Sequence, residues 1–150
     1  DDLYRVREYL EALAVLEAMP NLDEADFARL ATILYEAERH VGNVSEFLIS
    51  SRKFYEAIAA ATGNGVLQRV LAPINDQVRI VGAMLIGAHA ARMTEVCGEN
   101  GEILRALMAR DEAAAVAAVR AHVRNARAHV ATMLAQDRAM VFVNPPGAPA

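Results

Sequence analysis

The sequence predicts an all-α fold, an antiparallel bundle of about six helices. Three observations lead there. Apolar residues recur at three- and four-residue intervals along most of the chain, the period of a helix with one buried face. Alanine is very frequent and aromatics make up only 5% of the 150 residues, which favours closely packed helices over sheets. Only Met140–Val143 reads as extended, and it is too short to build a sheet.

The first helix is expected from about Asp2 to Met19, with Leu3, Val6, Leu10 and Leu13 at helical spacing and Pro20 as its stop. Asn21 opens an N-x-x-E stretch with Glu24, a capping-box variant that starts a second helix running to about His40. Phe27, Leu30 and Leu34 face inward, and Gly42 ends the element. Asn43 and Glu46 repeat the same signal for a third helix to about Thr62, with Gly63 at its C-cap and Asn64 free to cap the next. The fourth spans about Gly65 to Ile86, and Pro73 is expected to kink it or split it at Ala72. A fifth covers about Ala90 to Arg110, loosened by Gly98 and Gly101. Asp111 caps the last, which runs to about Gln136. Residues 1–136 thus form one domain, and 137–150, ending in NPPGAPA, a coil-like tail.

Composition narrows the function classes. Hydrophobic residues reach 55%, enough for a substantial core. A net charge of −4 argues against this segment holding nucleic acid by itself. The single cysteine, Cys97, excludes an internal disulfide and a CxxC metal motif and fits a cytoplasmic location. No run of about 18 apolar residues is free of charge, so no membrane span is expected; the greasiest stretch, Val78–Ala91, is interrupted by Arg79. Catalysis finds little support, because no nucleophile–base–orienter set is suggested and paired acids such as Glu36 and Glu38 face different directions.

The informative residues are polar ones on apolar stripes. Ser51 and Tyr55 are four apart and share a helix face with Phe47, Phe54 and Ile58. Asn100 lies among Met93, Val96, Ile103 and Leu107, and His122 among Val119, Ala126 and Met133. Each unpartnered polar group in such a place costs about 1–3 kcal/mol. The cluster is therefore either a closed hydrogen-bond network or the lining of a ligand cavity. Arg7 and Arg79 join it as ready partners for a carboxylate or phosphate, with Asn125 or His129 at its edge. Plainer readings stand beside these. His122 suits a core histidine bonded to Tyr55 or Asn100. Arg79 suits a salt bridge to Asp76 or Glu99. Arg7 and Glu11 have the spacing of a helical ion pair. His40 and His89 sit at helix ends, where a cation caps the last carbonyls.

These pieces resemble, in order and spacing, the FCD domain, the effector-sensing half of the FadR branch of GntR-type bacterial transcription regulators. The likeness runs from Leu3 to about Leu134. The family's opening E-x-R-x-x-x-E appears as Arg5, Arg7 and Glu11, with the first acid replaced. Its D-x-x-F-H followed by SGN appears as SRKFY with ATGN, keeping Phe54, Gly63 and Asn64. Its EH-x-x-IL appears as ENGEIL, keeping Glu99, Ile103 and Leu104, and its closing GD and histidine survive as Asp111 and His122.

Many family members hold a divalent metal through an aspartate, a histidine four residues later, and two further histidines. The matching positions here are Ser51, Tyr55, Asn100 and His122, so three of the four ligands are gone. A hydroxyl, a phenol and an amide beside one imidazole are poor ligands for zinc or nickel, and neither metal nor other cofactor is expected. The resemblance then implies a metal-free domain that senses a small organic acid or related metabolite through some of Arg7, Ser51, Tyr55, Arg79, Asn100 and His122. It also implies pairing into a homodimer, and a winged helix-turn-helix domain before Asp1 that would supply all contact with DNA. Two alternatives remain: a structural dimerisation domain whose pocket has collapsed around Tyr55, and a helical bundle that carries an acyl or lipid group.

Overall fold

The computed structural model describes the backbone of residues 2–85 and 90–143, and the side chains of 2–83 and 90–136. Within them the chain forms six α-helices: α1 (Asp2–Ala18), α2 (Glu24–Arg39), α3 (Val44–Ala61), α4 (Gly65–Leu85), α5 (Ala90–Met108) and α6 (Glu112–Val143), with a 3-10 turn at Met19–Asn21 between α1 and α2. The expected all-α bundle is what forms. α1 lies along α6, α6 along α5, α5 against α2, α2 against α3 and α3 against α4, while α1 also reaches α3 and α4 and so closes the ring.

The local signals mostly act where the sequence places them. Asn43 accepts from the Glu46 amide, Asn64 from the Val66 and Leu67 amides, and Asp111 from the Ala114 amide. Gly63 takes the left-handed backbone (φ 65°) that ends α3. One cap moves. α2 starts at Glu24 behind Asp23, which exchanges hydrogen bonds with Asp26 in a reciprocal capping box. Asn21, the expected cap, is still inside the 3-10 turn that Pro20 favours; its amide instead donates to the Glu17 and Ala61 carbonyls and ties the end of α1 to the end of α3.

Two further expectations change. α4 is unbroken through Pro73, which sits on the exposed face where water can satisfy the carbonyl that proline leaves without a donor. α6 continues past Gln136 to Val143, and Met140–Val143 is helical, because Ala139 and Met140 are good helix formers and the first breakers are Pro145 and Pro146. The tail from 144 on, Ile86 and His89 lie outside the described residues. Arg110 holds a left-handed φ of 56° at the α5–α6 corner without being glycine. Its guanidinium donates to the carbonyls of Met19 and Leu22, which fixes that corner against the 3-10 turn.

The main core is built of apolar side chains. Ala14, Val15, Phe54, Ile58, Leu71, Ile103, Leu107 and Val119 form its centre. A smaller cluster of Phe47, Met93, Val96 and Cys97 lies apart from it. Polar side chains also enter the interior: Arg7, Glu11, Ser50, Arg92, Asn100 and His122 are all buried.

Candidate ligand-binding site

α1, α3, α4, α5 and α6 each send side chains to one partly enclosed cavity. It offers about 100 Å3 to the centres of water-sized molecules, within about 740 Å3 of empty space that includes the open side. Phe47, Leu48, Val78, Val96 and Val130 make an apolar wall. Arg7, Arg52, Arg79 and Arg92 bring four guanidinium groups, and no aspartate or glutamate is among the described residues of the lining. Arg7 Nε and Arg79 Nε are buried without a hydrogen-bond partner.

Five of the six residues singled out from the sequence, Arg7, Ser51, Tyr55, Arg79 and His122, line this cavity. Asn100 does not. It is buried behind Tyr55, whose hydroxyl donates to Asn100 Oδ1 at 2.5 Å. The Tyr55 ring organises its neighbours: the Arg7 guanidinium lies 5.3 Å from its centroid and the His122 ring stacks on it at 5.3 Å. Burial raises the Tyr55 phenol well above its ordinary range, against the pull of Arg7, so it stays protonated and remains a donor.

His122 bonds neither Tyr55 nor Asn100. Its Nδ1 pairs with Glu99 Oε2 at 2.7 Å. Glu99 is the hub of a second network: Arg92 grips it with two bonds of 2.7 and 3.0 Å, and Asn125 donates to it at 2.9 Å. Burial opposes ionisation of Glu99, but the hydrogen bonds from His122 and Arg92 outweigh it and bring the carboxyl to about 2. Burial pushes the His122 imidazole down to about 4, with the Glu99 bond opposing and Arg7 assisting. His122 is therefore neutral at pH 7, and the charge facing Glu99 there comes from Arg92. Since ionised Glu99 only accepts, His122 carries its proton on Nδ1.

Sequence reasoning missed Arg92. It lies two helical turns before Glu99 on α5, and that i, i+7 spacing of opposite charges was its available signal. Arg79 is not the partner of Glu99, which is saturated, and only grazes Asp76 at 3.9 Å, because Arg52 takes Asp76 at 2.6 Å. His40, expected to cap α2 as a cation, bonds Ser50 Oγ through Nδ1 at 3.0 Å. Arg7 and Glu11 do pair, but deep inside and loosely: Nε and Oε1 are 3.5 Å apart and make no hydrogen bond. Burial raises the Glu11 carboxyl, with the Arg7 charge opposing.

The donor set does not fit a zinc or nickel ion. At the four positions in question, the Tyr55 phenol keeps its proton, the Asn100 oxygen is occupied by it, Ser51 offers a neutral hydroxyl, and His122 has one ring nitrogen left. Among the described residues no three His, Cys, Asp or Glu side chains are grouped to hold a metal. No described helix is long and apolar enough to cross a membrane.

Comparisons with known proteins agree with this architecture. The chain superposes on McbR/YncC from E. coli with a TM-score of 0.81 at 22% identity, covering 88% of this chain and 67% of that one. It superposes on the structure described as Lar, which controls expression of the Listeria monocytogenes agr system, with a TM-score of 0.74 at 14% identity, covering 87% of this chain and 62% of that one. The chain thus spans about two thirds of these neighbours' lengths, and at such identities they show the fold alone. No curated protein matches its sequence. The family profile of the FCD domain matches residues 2–125, nearly the whole described bundle, and the chain belongs to the FCD domain family.

Proposed function

We propose that this domain senses a small organic acid by direct hydrogen bonding, without a metal, as the effector-binding and dimerisation half of a GntR-type transcription regulator. One observation carries the reading: the cavity is lined by four arginines and, among its described residues, by no carboxylate. Arg52 and Arg92 are already matched by carboxylates outside the lining, Asp76 and Glu99, whereas Arg7 and Arg79 meet their acids only at 3.5 and 3.9 Å and keep capacity for an anionic guest. Arg7 and Arg79, each with a buried Nε lacking a partner, would receive the carboxylate. Tyr55, Ser51 and His122 would orient the rest, and Asn100 would hold the Tyr55 hydroxyl in place. Binding would favour one arrangement of the helices over another and so reach a DNA-binding domain joined before Asp1.

Pairing of two copies is part of the proposal. α1 exposes Val6, Tyr9, Leu13 and Leu16 along one side, and α4 exposes Val66, Val70 and Ile80. Such apolar rows on neighbouring helices suit a second copy of the domain.

A scaffolding role is the second reading, favoured by the modest size of the cavity and by the Tyr55–Asn100 bond that closes its back wall. A thermal-shift screen of carboxylates, sugar acids and metals separates the two. Acid sensing predicts a rise in melting temperature with some carboxylates in the presence of chelator. A flat response to every acid would leave the scaffold, and stabilisation that requires zinc or nickel would contradict the metal-free site.

A further inference from the structure

We infer that Glu99 selects the effector by holding His122 as a hydrogen-bond acceptor, so that the acid must carry a hydroxyl donor beside its carboxylate. The inference rests on the acid-sensing reading and adds the ligand's second functional group. Glu99 itself is outside the cavity lining and faces an adjoining groove with Glu95, Asn125 and Thr132, which shares Arg92 and His129 with the cavity. His122 stands between the two spaces. Its Nδ1 is committed to Glu99 at 2.7 Å, and no other bond to its ring is made among the described residues. The opposite nitrogen, Nε2, is the edge left for the cavity that His122 lines.

The carboxylate cannot rotate away from this duty. Arg92 grips both its oxygens and Asn125 donates to Oε1, which leaves Oε2 turned to His122. An anion that only accepts forces the proton onto Nδ1, and a neutral imidazole so oriented presents a lone pair at Nε2. Arg7 and His122 both pack against the Tyr55 ring and both line the cavity, where a hydroxy acid would meet them. Its carboxylate would face the guanidinium groups and its hydroxyl would donate to Nε2. An oxo acid of the same skeleton would set a carbonyl lone pair against the imidazole lone pair. Glu99 is in this sense a positioning residue that acts through His122.

The test uses chelator-treated protein titrated with matched acids, lactate with pyruvate and 3-hydroxybutyrate with acetoacetate, together with long-range 1H–15N spectra of the histidines. The hydroxy acid of a pair should bind about tenfold more tightly, the scale of one hydrogen bond gained and one clash avoided. His122 should show a protonated Nδ1 and a bare Nε2 in the free protein. Glu99→Gln can accept or donate, so it should mix the two tautomers and cut the preference to less than about threefold. Oxo acids that bind as well as hydroxy acids, a proton found on Nε2, or a Glu99→Gln variant with unchanged tautomer and preference would overturn the inference while leaving acid sensing intact. Binding of none of these acids would also overturn the inference, whereas acid sensing falls only with a flat response to every acid in the thermal screen.

Discussion

Two ion pairs each bring an arginine to the same cavity, and they are built in opposite ways. Arg92 and Glu99 form a closed pair: two short parallel bonds, with His122 and Asn125 using the remaining acceptor capacity of the carboxylate. Arg7 and Glu11 form an open one: 3.5 Å between nearest charged atoms, no hydrogen bond there, and a guanidinium Nε left over. A buried pair repays its desolvation only when geometry and extra hydrogen bonds are both good. The first meets that condition and serves as scaffold. The second does not, and Arg7 is held beside Tyr55 with capacity to spare for a guest.

The contrast breaks most easily at Glu99. Glu99→Ala should destabilise the domain by about 3 kcal/mol or more, since it strands Arg92 without its main partner; urea denaturation checks this, and a loss under about 1 kcal/mol would remove the closed pair as scaffold. Acid should open the same network. The folded His122 value of about 4 lies below the ordinary 6.5, and that of Glu99, about 2, below 4.5. In both cases the unfolded chain binds the proton first, so stability falls as pH drops, through His122 from about 6.5 to 4 and through Glu99 from about 4.5 to 2. His122 alone accounts for about 3 kcal/mol of that loss. Glu11 has the opposite sign, because its raised carboxyl contributes stability at low pH that disappears as pH rises through its folded value. Denaturation midpoints taken across pH in wild type and His122→Gln should show the His122 component vanish from the variant.

The open pair should respond weakly to the same treatment. Glu11→Gln should change stability at pH 7 by less than about 1 kcal/mol, because burial already disfavours the charged form it removes; a loss as large as that of Glu99→Ala would make the two pairs equivalent. Arg79→Ala should have the smallest structural effect, within about 0.5 kcal/mol, since the side chain is 39% exposed and only grazes Asp76. It should nevertheless remove most of the thermal response to carboxylates, and an unchanged response would exclude Arg79 from the site.

Helix order, the asparagine caps of α3 and α4, and the polar intrusions at Arg7, Tyr55, Asn100 and His122 were legible in the sequence, because each depends on residue type and spacing within one element. The misplaced cap shows where that reasoning stops. Asn21 and Asp23 both carry cap chemistry, and the choice between them turned on how Pro20 tightens the end of α1. The Glu99 network was harder still. Glu99 and Asn100 are adjacent on α5 yet look in different directions, one across to His122 on α6 and the other to Tyr55 on α3. Periodicity identifies a buried face but not which neighbouring helix receives each side chain, so the sequence alone puts the asparagine in the lining, offers the glutamate to Arg79 and does not single out Arg92.

The central claim is that an organic acid binds here through the open pair and without a metal. Calorimetric titration of the strongest acid from the thermal screen, in excess chelator, tests it directly when run on wild type and on Arg7→Met side by side. Wild type should bind one acid per protomer, and the variant should bind at least about tenfold more weakly, as expected for loss of one charge-assisted hydrogen bond. Binding that vanishes with the chelator, or that Arg7→Met leaves unchanged, would contradict the account.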